Sequence, residues 1–136
     1  MKKIQILYIV LVLMVSFSCA AQSVPRNAKD ILISKDWKID GFGAETIYKI
    51  KFTDTAIIIH LNGELIGGEQ AYYFSTTLND CSTDGFNENN VGSSLGGKYL
   101  ISENSCLELI NVSANELKFK SVYGGNPNTV TTASPF

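Results

Sequence analysis

The chain has one histidine, one tryptophan and three prolines in 136 residues, and its basic residues form no patch. The lone histidine, His60, leaves a transition-metal site without the several nitrogen or thiolate ligands it needs. It also leaves a nucleophile only one candidate base. No serine lies in a nucleophile elbow between a strand and a helix. The acids are scattered singly, so no carboxylate pair suggests glycoside chemistry. Neither an enzyme activity nor a cofactor is expected. A net charge of −2 without a basic stripe makes nucleic acid a poor partner. A long apolar run is missing too. Ile4 to Val15 gives way to Ser16-Phe17-Ser18-Cys19-Ala20-Ala21-Gln22, short of the roughly 20 apolar residues that cross a bilayer. With Lys2 and Lys3 ahead of it and small residues behind it, this run reads as a secretory signal.

Residues 1–18 resemble a bacterial lipoprotein signal, in which a small residue, here Ser18, precedes a cysteine that becomes the lipidated N-terminus. Ser16 and Phe17 depart from the usual pattern, but the looser cysteine boxes of Bacteroidetes lipoproteins look similar. That resemblance implies a membrane attachment through lipid on Cys19, and burial of each acyl CH₂ contributes about 0.8 kcal/mol. The alternative is ordinary cleavage after Ala21, giving a soluble periplasmic or secreted protein. The stretch after Cys19 has no acid up to Arg26, unlike surface-exported lipoproteins of that phylum, which favours the periplasmic face of the outer membrane.

Of 11 basic residues two, Lys2 and Lys3, fall in the leader, which leaves 9 against 13 acids, a net −4. About 115 residues remain, enough for one domain with a single core. With Cys19 assigned to lipid, Cys81 and Cys106 form an even pair in an oxidising compartment, and a disulfide is expected. Closing that loop would stabilise the fold by roughly 3 kcal/mol.

The mature chain reads as strands after a linker over 19–29. Asn27 to Ser34 could form one or two helical turns, with Asn27 as N-cap and Ile31 and Leu32 reaching the core. Trp37-Lys38-Ile39 opens a strand. Thr46 to Phe52 alternates, Tyr48, Ile50 and Phe52 facing one way and Ile47, Lys49 and Lys51 the other. Ala56 to Leu61 runs back, and Asn62-Gly63 is a strong hairpin signal. Further strands are expected at Ala71–Thr77, Lys98–Ser102, Cys106–Val112 and Glu116–Val122. Residues 124–136 read as a loose tail, with a short strand possible at Thr129–Thr132. Seven to eight short strands with local hairpins indicate an all-β domain, a small antiparallel up-and-down barrel or a flattened sandwich.

Trp37, Tyr48-Lys49-Ile50-Lys51-Phe52, Tyr72-Tyr73-Phe74-Ser75, Gly97-Lys98-Tyr99-Leu100-Ile101 and Cys106-Leu107-Glu108-Leu109 resemble the small lipocalin-like proteins of Bacteroidetes over residues 30–123. The resemblance implies a barrel whose interior holds a small apolar ligand. The chain departs in its shortness and in lacking an evident C-terminal helix. Trp37, Tyr48, Tyr72, Phe74, Tyr99 and Phe119 are the candidate cavity walls, with core filling as their alternative role.

The polar stretch from Asn79 to Gly97 supports a second function class, an interaction, inhibitor or immunity-type module with an envelope protein partner and Phe86 as the apolar anchor. Within it, Asp80-x-Ser82-x-Asp84-Gly85 opens like a calcium loop. Val91 stands where a bidentate Glu is needed and no helices flank it, so a polar loop tied down by the Cys81–Cys106 bridge is the alternative. Asp54-Thr55-Ala56 resembles the O-glycosylation signal of Bacteroidetes, and a plain turn explains it equally.

Overall fold

The structure is a computed structural model that describes residues 24–82, 84–93 and 96–136; the leader, Cys19 and the cleavage site lie outside the described residues. One short helix, α1 (Ala28–Ile33), precedes eight strands. These are β1 (Asp36–Ile39), β2 (Tyr48–Phe52), β3 (Ala56–Leu61), β4 (Glu64–Ser75), β5 (Tyr99–Ser102), β6 (Cys106–Val112), β7 (Leu117–Tyr123) and β8 (Val130–Pro135). They form a closed antiparallel barrel in sequence order, β8 pairing with both β7 and β1.

The alternation of β2 holds: Ile50 and Phe52 are buried while Lys51 is exposed. Asn62 (φ 51°) and Gly63 (φ 88°) make the β3–β4 turn, where the left-handed backbone matches the twist of a tight hairpin. The Asn62 Oδ1 also accepts the Ile47 N–H at 2.8 Å, fixing the start of β2.

One end of the barrel is shut. Leu32 and Trp37 are both fully buried, and the Trp37 Nε1–H donates to the Leu32 carbonyl at 3.1 Å. This bond satisfies the polar edge of an otherwise apolar plug and lays α1 against β2 and β6. Above it, Phe52, Tyr72 and Phe74 pack edge to face, with ring centroids 6.0 and 5.9 Å apart. The Tyr72 hydroxyl donates to the Thr53 carbonyl at 2.7 Å. Burial, and then the charge of Asp54, push its pKa up to about 12.

Two sequence expectations need correction. Residues 124–136 are not a loose tail: β8 closes the barrel, with Ala133 fully buried between Ile39 and Leu117. Its inward positions, Thr131 and Ala133, are too small and polar to show an apolar alternation, and tertiary pairing decides the strand. The fourth strand starts at Glu64 rather than Ala71 and runs 12 residues. Gly67 and Gly68 (φ 71° and 70°) form a two-residue insertion in it, opposite the Ile58–Ile59 step. A two-residue insertion preserves the period of two, so Ile66 and Gln70 stay on the inner face. Asn27 does precede α1, but its side chain makes no capping bond.

A second apolar cluster lies outside the wall. Tyr73, Ile101 and Cys106, on the outer phase of β4, β5 and β6, are covered by Cys81, Phe86 and Val91 of the long loop between β4 and β5. The Cys81–Cys106 disulfide pins that loop to β6.

The fold yields two predictions. Trp37→Ala is expected to cost about 3–5 kcal/mol in urea unfolding, because a buried plug and its hydrogen bond are lost together; a cost below about 1 kcal/mol would mean that the end is not sealed this way. On the outer wall, hydrogen bonds from Lys98 and then Lys120 hold the Glu108 carboxyl below its ordinary 4.5. A depressed folded pKa gives stabilisation that is present above the unfolded value and lost as pH falls through the folded one. Glu108→Gln should therefore be less stable than the parent near neutral pH, and the two should converge in acid; a gap that stays constant with pH would contradict this.

Candidate functional site

Above the plug the barrel is not filled. A cavity of about 330 Å³ lies inside it, lined from all eight strands. This is within the size range of small-molecule sites, about 300–1,000 Å³. Ile50, Phe52, Ile57, Ile59, Leu100, Leu107, Leu109, Leu117 and Phe119 make the apolar wall. Gln70, Asn104, Ser105, Ser121 and Thr131 supply the polar atoms, and no charged side chain lines it.

The polar members mark the mouth. Antiparallel order brings the β1–β2 loop, the Asn62-Gly63 turn, the β5–β6 turn and the β7–β8 loop to the end opposite α1. At this end β4 has paired only with β3 as far as Ala71, since β5 joins it from Tyr72 onward. The wall is therefore incomplete between Gln70 and the β5–β6 turn, which carries Asn104 and Ser105. Phe42, Leu65, Ile66 and Val130 are exposed around it.

The six proposed wall aromatics are distributed unevenly. Phe119 lines the cavity. Trp37, Tyr72 and Phe74 are buried in the plug half, where they fill the core. Tyr48 packs beside the mouth against Phe42, with centroids 4.6 Å apart, and is not in the lining. Tyr99 faces outward into the second cluster. The sequence pattern misplaces Tyr99 because the loop covers the outer face of β5, so both phases of that strand are apolar. The lining is mostly aliphatic, with Phe52 and Phe119 its two aromatics, and the alternation of β2 was the signal for its own part of it.

Phe86 is half-buried against Tyr73, ring centroids 5.7 Å apart. The Tyr73 hydroxyl donates to the Gly85 carbonyl at 2.7 Å and accepts the Asn87 N–H at 3.3 Å, so the loop is built onto the wall. In the calcium-like stretch the Asp80 carboxylate accepts a hydrogen bond from the Ser75 hydroxyl. A side chain at Gly85 would collide with the Asp80 carbonyl, so close chain approach accounts for this glycine. Among the described residues, no group of three or more His, Cys, Asp or Glu could hold a metal. Ser82 and Asp84 are exposed, as is Thr55 on the β2–β3 turn.

His60 points away from the cavity, paired in register with Lys49 and Leu65, and its Nδ1 has no hydrogen-bond partner. One pattern was overlooked in the sequence: Gly92-Ser93-Ser94-Leu95-Gly96 has the spacing of a nucleophile elbow, with Ser94 and Leu95 outside the described residues. An elbow needs a strand running into it, and the described residues ahead of it form a 3₁₀ turn, Glu88–Asn90.

No protein-family model matches the chain, and no curated protein matches its sequence.

Because the disulfide lies outside the wall, cavity and bridge should separate experimentally. Cys81→Ala/Cys106→Ala closes no 25-residue loop and should lose about 3 kcal/mol of stability. Below its melting temperature it should still take up an apolar dye to the parent's extent. Loss of uptake in the folded variant would show that the loop shapes the cavity.

Proposed function

We propose that the protein is a lipocalin-like binding protein of the bacterial cell envelope that carries a small apolar or amphipathic molecule inside its barrel. The observation that carries this reading is the unfilled, uncharged cavity of about 330 Å³ above a sealed end. A ligand entering it would take its own apolar surface out of water, at about 25 cal/mol per Å² of apolar surface buried. The polar mouth residues would orient a head group. The basic-then-apolar leader and Ser18-Cys19 support lipid attachment at the envelope, and the Cys81–Cys106 pair suits an oxidising compartment. The reading assigns the chain no catalytic step: its one histidine lies on the outer phase of β3, away from the barrel cavity. Phe86, the anchor that an interaction module would present, is spent on Tyr73.

Binding of an uncharged naphthylamine dye, which brightens on leaving water, tests this reading. The parent is expected to bind one equivalent. Leu107→Phe and Leu107→Trp should weaken binding progressively as the added ring fills the cavity, while Leu78→Ala, on an exposed turn remote from it, should leave binding unchanged. If Leu107→Trp folds and binds like the parent, the dye is not in the barrel and the proposal fails.

A further inference from the structure

The polar side of the cavity lining deepens the carrier reading by choosing a head group. Charged residues flank the lining in sequence, yet none faces into it. Lys38 and Asp40 sit on either side of Ile39. Lys38 is in register with the outward Lys49 and Ser134, and the Asp40 carboxylate accepts the Ser134 hydroxyl at 2.8 Å. Glu69, beside Gln70, lies opposite Ile58 on the outer phase. Lys120, between Phe119 and Ser121, pairs outside with Glu108. Glu103, beside Asn104, is exposed on the β5–β6 turn. Both signs are therefore kept on the outside or in solvent, and no counter-charge is offered to a ligand in the barrel.

What the lining offers instead is neutral hydrogen bonding. Two of its five polar side chains are engaged: the Ser105 Oγ lies 2.7 Å from the Ser102 Oγ, and the Ser121 hydroxyl donates to the Tyr123 carbonyl at 3.2 Å. Among the described residues, the side chains of Gln70, Asn104 and Thr131 make no hydrogen bond to protein. Gln70 and Asn104 border the gap in the wall. Each is a primary amide, with a carbonyl acceptor and two N–H donors. A hydroxyl or carboxamide head can exchange its water bonds for bonds to these amides. An ammonium or carboxylate head entering the same place would lose hydration with no opposite charge to offset it.

We infer that the ligand is an uncharged amphiphile, a long-chain alcohol or carboxamide in chemical class, with its tail among the aliphatic walls and its head bonded to Gln70 and Asn104. The head-group assignment rests on the carrier reading above.

Decanol, decylamine and decanoate share one tail and differ in head charge. Their affinities are to be measured by displacement of the naphthylamine dye, below micelle formation. At neutral pH decanol is expected to bind on the order of tenfold tighter than either ion. The gap should persist as salt is added, because it comes from lost hydration and not from a field at the mouth. Decanoate should gain affinity as pH falls and its carboxylate takes up a proton. Decylamine should gain as pH rises and its ammonium loses one, while decanol stays level across both ranges. Gln70→Lys should bring decanoate to the affinity of decanol or beyond, and Asn104→Lys, on an exposed turn, should do the same. Either ion bound by the parent as tightly as decanol would overturn the head-group assignment and leave the carrier reading standing. So would an unchanged order in the folded lysine variants, or dye uptake that none of the three displaces. If neither the dye nor any of the three binds, the carrier reading fails and the assignment with it.

Discussion

The hydrogen bond from the Trp37 indole to the Leu32 carbonyl, made with both residues fully buried, sets the polarity of the whole barrel. An indole N–H left unpaired in an apolar interior would cost about 1–3 kcal/mol, so α1 and β1 are held in one arrangement across the barrel end. Phe52, Tyr72 and Phe74 stack on this plug and fill the lower half. Large side chains are used up there. From Ile57 and Ile59 across to Leu107 and Leu109 the upper wall is mostly aliphatic, and its inward chains do not meet across the axis. The cavity is the consequence of this uneven distribution of volume.

The strand pattern, by contrast, depends on closure. An eight-stranded sheet of this length has a protected interior only because β8 pairs with β1. Closure is incomplete on one side, where the first half of β4 has no second neighbour. Exposed strand edges invite pairing with other chains, and here Glu64, Glu69 and the Gly67-Gly68 kink discourage it. The same gap leaves the cavity accessible at the Gln70 and Asn104 side.

Much of the fold was legible in the residues. The alternation over Tyr48 to Phe52, the Asn62-Gly63 turn and the Cys81 and Cys106 pair each specify a local structure through their own physics. Three features were not legible. The inward residues of β8 are Thr131 and Ala133, which give no apolar signal, so its role as closing strand comes from its neighbours. The long β4 is hidden by two glycines that normally break strands. The phase of Tyr99 is ambiguous because an outer cluster, pinned by the disulfide, makes both faces of β5 apolar. The candidate site suffered the same bias: aromatics drew attention to Trp37, Tyr72 and Phe74, while aliphatic residues supply the walls.

Xenon tests most directly whether the upper barrel is empty and dry, since a dry apolar cavity of this kind takes up the gas and a filled or hydrated one does not. The account predicts saturable xenon shifts in methyl NMR confined to residues of the cavity lining, such as Ile57, Ile59, Leu100, Leu107, Leu109 and Leu117, with Leu32 and Val112 of the plug side unaffected. Shifts spread evenly over the core, or none at all, would contradict an open cavity above a sealed end.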